Sequence, residues 1–207
     1  MAKFLQNNYF MKTNLIILAL LVSALTGFSQ MEKGKISGDM QFGLGIYKTK
    51  AWHRQLDIDT TDRAGAGLIQ LKGDYAIHER IGVGLVLERY GFLISDTNRK
   101  EGDRSIAYNF AVQGKFYALR TKKIDLYAGA TLGYAVINIY DGKSRYMFQS
   151  TGFNGGIDAG LRWFIFGPVG LVVQGQYAMY NFNADDGAVI RLRASGTNMH
   201  VGLCARF

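Results

Sequence analysis

Apolar and polar residues alternate with a period of two along most of this chain. In the first such stretch Ile36, Gly38, Met40, Phe42, Leu44 and Ile46 share one face. Ser37, Asp39, Gln41, Gly43, Gly45 and Tyr47 share the other. A pleated backbone sends successive side chains to opposite sides, so this pattern predicts a strand with one apolar face. The pattern returns along the chain. Ile69, Leu71 and Tyr75 oppose Gln70, Lys72 and Asp74. Ile81, Val83, Leu85 and Leu87 oppose Gly82, Gly84 and Glu88. Ile106, Tyr108, Phe110, Val112 and Phe116 oppose Asn109, Gln113 and Lys115. Ile124, Leu126, Leu132, Tyr134 and Val136 oppose Asp125, Gly129, Thr131 and Gly133. Phe153, Ile157, Leu161 and Trp163 oppose Asn154, Asp158 and Arg162. Leu171, Val173, Tyr177 and Met179 oppose Gln174 and Gln176. Met199, Val201, Leu203 and Phe207 oppose Asn198, His200 and Arg206. Eight strands are predicted, mostly longer than the roughly 9–11 residues a tilted strand needs to cross a bilayer.

The connections between them alternate in length. Long polar segments follow the odd strands, around residues 48–63, 95–104, 141–151 and 183–196. Short turns follow the even ones: His78-Glu79-Arg80, Arg120–Lys123 and Phe166-Gly167-Pro168. An up-and-down barrel with one end outside the cell and the other in the periplasm produces this alternation, and a soluble sandwich has no reason to. The single proline, Pro168, falls in a tight turn, where its missing donor does no harm. Tyr75, Phe116, Trp163 and Phe207 are expected on the outer face near the short turns, with Tyr108, Phe153 and Tyr177 nearer the long loops. Two aromatic girdles of this kind mark membrane–water boundaries.

Upstream of the strands lies the one continuous apolar run, Leu15–Val22, preceded by Lys12 and followed by Gly27 and Ser29. It is too short for a spanning helix of about 20 residues. With small residues at the positions a signal peptidase reads, residues 1–29 are expected to be a removed signal peptide, cut between Ser29 and Gln30. Residues 1–10 precede the signal proper, as an upstream start codon would explain. The mature unit is then one domain, 30–207. No cysteine follows the apolar run to carry a lipid.

Composition narrows the function classes. One cysteine, Cys204, allows no internal disulfide, so stability has another source. The net charge of +8 is not gathered into a run long enough for a nucleic-acid footprint, and nucleic acid is excluded as a partner. Glycine pairs at Gly43/Gly45, Gly65/Gly67 and Gly82/Gly84 precede no helix and complete no phosphate-binding fingerprint. They are expected to let strands coil and to make room for long interior side chains. His53, His78 and His200 fall in an outer loop, a periplasmic turn and the interior, too scattered to bind one metal. No cofactor is expected.

The leader, the eight alternating strands and the final Val201-Gly202-Leu203-Cys204-Ala205-Arg206-Phe207 resemble the small OmpA/OmpX-type outer-membrane barrel superfamily. The resemblance implies an all-β, eight-stranded antiparallel up-and-down transmembrane barrel in the bacterial outer membrane. It also implies that terminal Phe207, with apolar residues at alternate preceding positions, is the assembly signal read by the barrel-assembly machinery.

A barrel of eight strands has an interior that side chains fill. The inward positions carry Asp39, Asp74, Glu88, Asp125 and Asp158 against Lys72, Lys115, Arg162 and Arg206. Unpaired charges there would be costly, so these residues are expected to form a buried polar network. Tyr47, Phe92, Tyr117, Tyr127 and Tyr180 are expected beside them as fillers, and Cys204 as a small one. The expected role is a non-enzymatic barrel with a structural or surface-interaction function through its outer loops. The third and fourth strands are expected to project as a hairpin. Tyr90, Phe92, Tyr146 and Phe148 with Arg99, Lys100, Arg104, Lys143 and Arg145 would make it aromatic and cationic. Lipopolysaccharide in the outer membrane or an extracellular ligand would meet it. Two rival readings are a narrow channel for small solutes and a rim hydrolase acting on peptide or lipid A. Its only candidates are His53 with Asp57 or Asp59, and Asp185-Asp186.

Overall fold

The structure, a computed structural model, describes residues 33–53, 59–94, 104–140, 146–186 and 189–207. The expected signal peptide lies outside them. The strands are β1 (Ile36–His53), β2 (Asp59–His78), β3 (Ile81–Ile94), β4 (Arg104–Arg120), β5 (Ile124–Tyr140), β6 (Tyr146–Phe166), β7 (Val169–Asp186) and β8 (Val189–Arg206). Each pairs antiparallel with the next, and β8 pairs with β1 to close the barrel. Beside the last strand pair, the Phe207 N–H donates to the Ile36 carbonyl at 2.8 Å and its own carbonyl accepts from the Ile36 N–H at 3.1 Å. No sheet edge is left to recruit another chain.

Closure requires stagger. Directly opposed residues run from Ile36 through Tyr75, Val83, Gly114, Ala130, Ile157, Tyr177 and Thr197, then return to β1 at Ile46, ten residues along the strand. Such a shear tilts the strands by roughly 35–45° and leaves a lumen that side chains span.

The alternation decides which way each side chain faces. Leu44 is 76% exposed and Phe153 70%, whereas Tyr47 and Tyr90 are 0% exposed. Outside is apolar and inside is polar, the reverse of a soluble protein and the arrangement a bilayer demands. Tyr75, Phe116 and Trp163 lie opposite Ile36, Ile81 and Ile124, the first residues of their strands, so one outward aromatic girdle lies beside the short turns. Tyr108, Phe153 and Tyr177 are also exposed, farther from the short turns.

One expectation about strand length changes. The segments 48–63 and 183–196 are largely strand: β1 continues to His53, β2 starts at Asp59, β7 ends at Asp186 and β8 starts at Val189. Above the hydrocarbon both faces meet polar surroundings, so the apolar alternation stops while backbone pairing continues. The tip of the hairpin expected of the third and fourth strands, residues 95–103, lies outside those described.

All three short turns are accompanied by a register shift: Ala76/His78, Tyr117/Leu119 and Phe164/Phe166. In the last turn Gly167 takes a positive φ of 61°, a conformation glycine reaches without steric cost.

Candidate functional site

The interior has two layers. In the strand halves nearer the short turns, Arg162 on β6 reaches across the lumen to Asp39 on β1 at 2.6 Å and to Asp74 on β2. Lys115 on β4 completes the group, 2.7 Å from Asp74 and 3.7 Å from Asp39. Lys72 pairs with Asp158 at 3.0 Å. Gln174 joins the two groups, its Oε1 accepting from Lys72 Nζ at 2.8 Å, Tyr127 at 2.9 Å and Gln41 at 3.4 Å. The side chains of the three pairs with Arg162, Lys115 and Lys72 are all but wholly buried, so these ions neutralise one another out of reach of bulk water. Arg206 and Asp125 pair at 3.1 Å by the periplasmic turn, where Arg206 also donates to the Thr121 carbonyl.

Of the expected network, Glu88 stands apart. It is buried, and no described Lys or Arg lies within ion-pair distance of it. Its carboxylate instead accepts from neutral donors: Asn109 at 2.6 Å, Tyr90 at 2.9 Å, Tyr180 and Gln176 at 3.4 Å, and Gln70. Gln176 in turn meets Asn198 at 3.3 Å and the ring of His200 at 3.1 Å. Hydrogen bonds to a charged acceptor are stronger than neutral ones, so several of them can hold a carboxylate without a counter-ion.

Above Glu88 the lumen is filled by rings. Tyr47 packs edge-on to Phe92 at 5.3 Å, Tyr90 stacks on Phe92 at 5.7 Å, and Tyr180 stacks on Phe182 at 5.8 Å. Tyr90 and Tyr180 meet at 5.4 Å, so aromatics from β1, β3 and β7 form one cluster. Inward Ala64, Ala66, Ala107, Ala135, Ala178 and Ala194 give these rings space. The hydroxyls of Tyr90 and Tyr180 reach Glu88, tying the ring layer to the polar one.

Three expectations need correction. Tyr90 and Phe92 are not part of a loop surface; both are buried in the ring cluster. Parity could have said so, since Glu88, Tyr90 and Phe92 share a face. Phe182 was missed, although it shares parity with Gln174, Gln176 and Tyr180. Arg120 was read as a turn residue, yet it is buried at the end of β4 with its guanidinium 4.1 Å from the Tyr117 ring centre. The register shift after Tyr117 turns it inward, and no alternation rule reveals a bulge.

The glycines divide as well. A Cβ at Gly129 would lie 2.6 Å from Asp158 Oδ1, one at Gly160 would lie 2.5 Å from the Tyr127 hydroxyl, and one at Gly45 would meet the Asn198 amide. These make room for interior side chains. Gly65 and Gly67 face outward with nothing within 4 Å, so they make none.

Cys204 is buried beside Phe164 and Val172 as a free thiol. His200 is interior, and His78 accepts from the Arg80 N–H at 3.3 Å in the first turn. The side chains of His53, Asp59, Asp185, Asp186, Arg104, Tyr146 and Phe148, with Asp57, Arg99, Lys100, Lys143 and Arg145, lie outside those described. Among the described residues no group of His, Cys, Asp and Glu could hold a metal ion.

An antiparallel closed barrel with a shear of ten, an apolar exterior and a filled polar interior has solved counterparts. OprG of Pseudomonas aeruginosa superposes with a TM-score of 0.55 at 12% identity, over 87% of this chain and 99% of that one. This is the fold of small eight-stranded outer-membrane barrels of the OmpA/OmpX type. Neisserial surface protein A is 13% identical over 81% of this chain and 97% of its own, with a TM-score of 0.49. Ail of Yersinia pestis is 16% identical over 85% and 100%, with a TM-score of 0.43. No family model matches the chain, and no curated protein matches it. At these identities the likeness carries the fold alone. The fold and the lipid-compatible exterior make this an integral outer-membrane barrel.

Proposed function

We propose that this barrel is closed, that it catalyses no reaction, and that it acts as a structural or surface-interaction protein through its outward end. The observation that supports this reading is the double filling of the lumen. Tyr47, Tyr90, Phe92, Tyr180 and Phe182 meet above a set of ions that span the barrel from β1, β2, β4 and β6. A water path would require the rings to part and several buried pairs to separate together, each at a cost of about 3–5 kcal/mol. The full mature chain, refolded into a planar bilayer, is expected to give no steady conductance at neutral pH. Reproducible single-channel steps that scale with salt would replace this reading with the solute-channel one.

Phe207 is proposed as the assembly signal for the barrel-assembly machinery. It is 72% exposed on the outer face, and its backbone joins the strands that must meet last. Deleting it is expected to reduce the heat-modifiable, membrane-inserted fraction in cells while leaving refolding into detergent intact. Unchanged insertion in cells would remove this role.

A further inference from the structure

Charge in the described part of the lumen is settled almost entirely by pairing. Arg162 and Lys115 hold Asp39 and Asp74, Lys72 holds Asp158, and Arg206 holds Asp125. Among the described buried charges that leaves Arg120 and Glu88 outside any ion pair. Arg120 is the last residue of β4, at the periplasmic end. Glu88 lies at the joint of the ionic and ring layers, opposite Asn109 on the same strand, so the two do not neutralise each other.

The hydrogen bonds that Glu88 accepts from Asn109, Tyr90, Tyr180, Gln176 and Gln70 position its carboxylate and do not cancel its charge. A buried ion without a counter-charge is costly. His200, the nearest ring of the same network, does not supply one. Its Nε2 meets Gln176, and its Nδ1 has no partner among the described residues. A charged imidazole would bury a second N–H there with no acceptor.

The amides beside Glu88 carry a second, independent signal. Gln70, Glu88 and Asn109 are directly opposed on β2, β3 and β4, and Gln41 on β1 is opposed to Gln70. Gln70 is 0% exposed and Asn109 7%. Both give their amide nitrogens to Glu88, while Gln70 Oε1, Asn109 Oδ1 and Gln41 Oε1 are left without a partner among the described residues. A terminal amide carries its acceptor and its donors on the two sides of one soft torsion, so a half-turn exchanges them. That half-turn at Gln70 offers its N–H₂ to the orphaned oxygen of Gln41 and brings its own oxygen to Glu88. Two oxygens then face each other, and a cation between them satisfies both.

We propose that Glu88 binds an alkali-metal cation, Na⁺ or K⁺, inside the lumen, with the amide oxygens of Gln70 and Asn109 as its neutral ligands. One carboxylate with neutral oxygens matches a single positive charge, whereas a calcium site draws on more oxygens and more than one acid. The cation exchanges with hydrogen bonds rather than filling a void. It supplies the counter-charge this level of the barrel lacks, and Tyr90 and Tyr180, whose hydroxyls reach Glu88, cover it from the ring side. The site does not depend on what the outward end of the barrel meets.

The test is urea unfolding of the refolded mature chain in phosphatidylcholine vesicles, with NaCl, KCl or choline chloride as the only salt at one ionic strength. Choline is too large for the site. The unfolding equilibrium constant is expected to be about tenfold smaller in NaCl or KCl than in choline chloride, as linkage gives when the cation is about tenfold above its dissociation constant. E88Q is expected to unfold alike in all three salts, whatever its stability relative to the parent. Should E88Q not fold, crystals of the parent soaked in thallium(I) acetate serve instead. An anomalous peak among Glu88, Gln70 and Asn109 is expected there, since Tl⁺ stands in for K⁺. Equal unfolding of the parent in all three salts, as a proton or water at those oxygens would give, overturns the proposal. So does a cation dependence that E88Q retains, or thallium-soaked crystals without a peak at Glu88.

Discussion

The half of the lumen nearer the short turns is held by charge, with Arg162, Lys115 and Lys72 pairing Asp39, Asp74 and Asp158. The half nearer the outer loops is held by rings from β1, β3 and β7 against inward alanines. Both fill the same width of barrel, yet they fail differently. An ion network is all-or-none, because removing one member strands its partners without water. A ring cluster degrades by degrees, since each ring loses only the contacts of the atoms removed. Glu88 is the joint between them, a carboxylate whose donors include hydroxyls from the ring layer.

The largest effect is expected from Arg162→Leu, which leaves Asp39 and Asp74 with Lys115 alone. Urea unfolding in lipid vesicles, followed by Trp52 and Trp163 fluorescence, should show a loss of about 3–5 kcal/mol. Neutralising the acids as well, in D39N/D74N/R162L, should recover part of it. If R162L costs less than about 1 kcal/mol, the charged layer is not a unit.

An intermediate loss is expected at the joint. Glu88→Gln keeps the shape but presents an amide N–H₂ to groups that are already donors. A cost of about 1–3 kcal/mol should follow in the same unfolding assay. A neutral result would mean that the carboxyl is held by packing rather than by its hydrogen bonds.

The smallest is expected among the rings. Phe92→Leu removes part of one ring from a cluster of several, and about 1 kcal/mol should be lost. A loss as large as that of R162L would erase the distinction between the two layers.

Much of this was legible beforehand, for a particular reason. From Ile36 to Tyr47 every residue faces the side that alternation assigns, and the polar positions Asp39, Lys72, Asp74, Lys115, Asp158 and Arg162 are inside the barrel. Tyr90 was equally legible and was misplaced only because strand length was allowed to outweigh parity. Arg120 was not legible, since the extra residue that turns it inward belongs to the pairing of β4 with β5. The true lengths of β1, β2, β7 and β8 were hidden because both their faces turn polar above the membrane.

Alternation, the long and short connections and the outward aromatics determined by themselves that this chain is an eight-stranded membrane barrel, and which residues its interior receives. They act through nearest neighbours on one strand, where a period of two suffices. Which acid meets which base was decided only when the strands closed with a stagger of ten, because that shear sets the level at which residues from different strands face each other across the lumen. The same stagger gathered the rings of β1, β3 and β7, residues far apart in the chain with no local pattern to connect them.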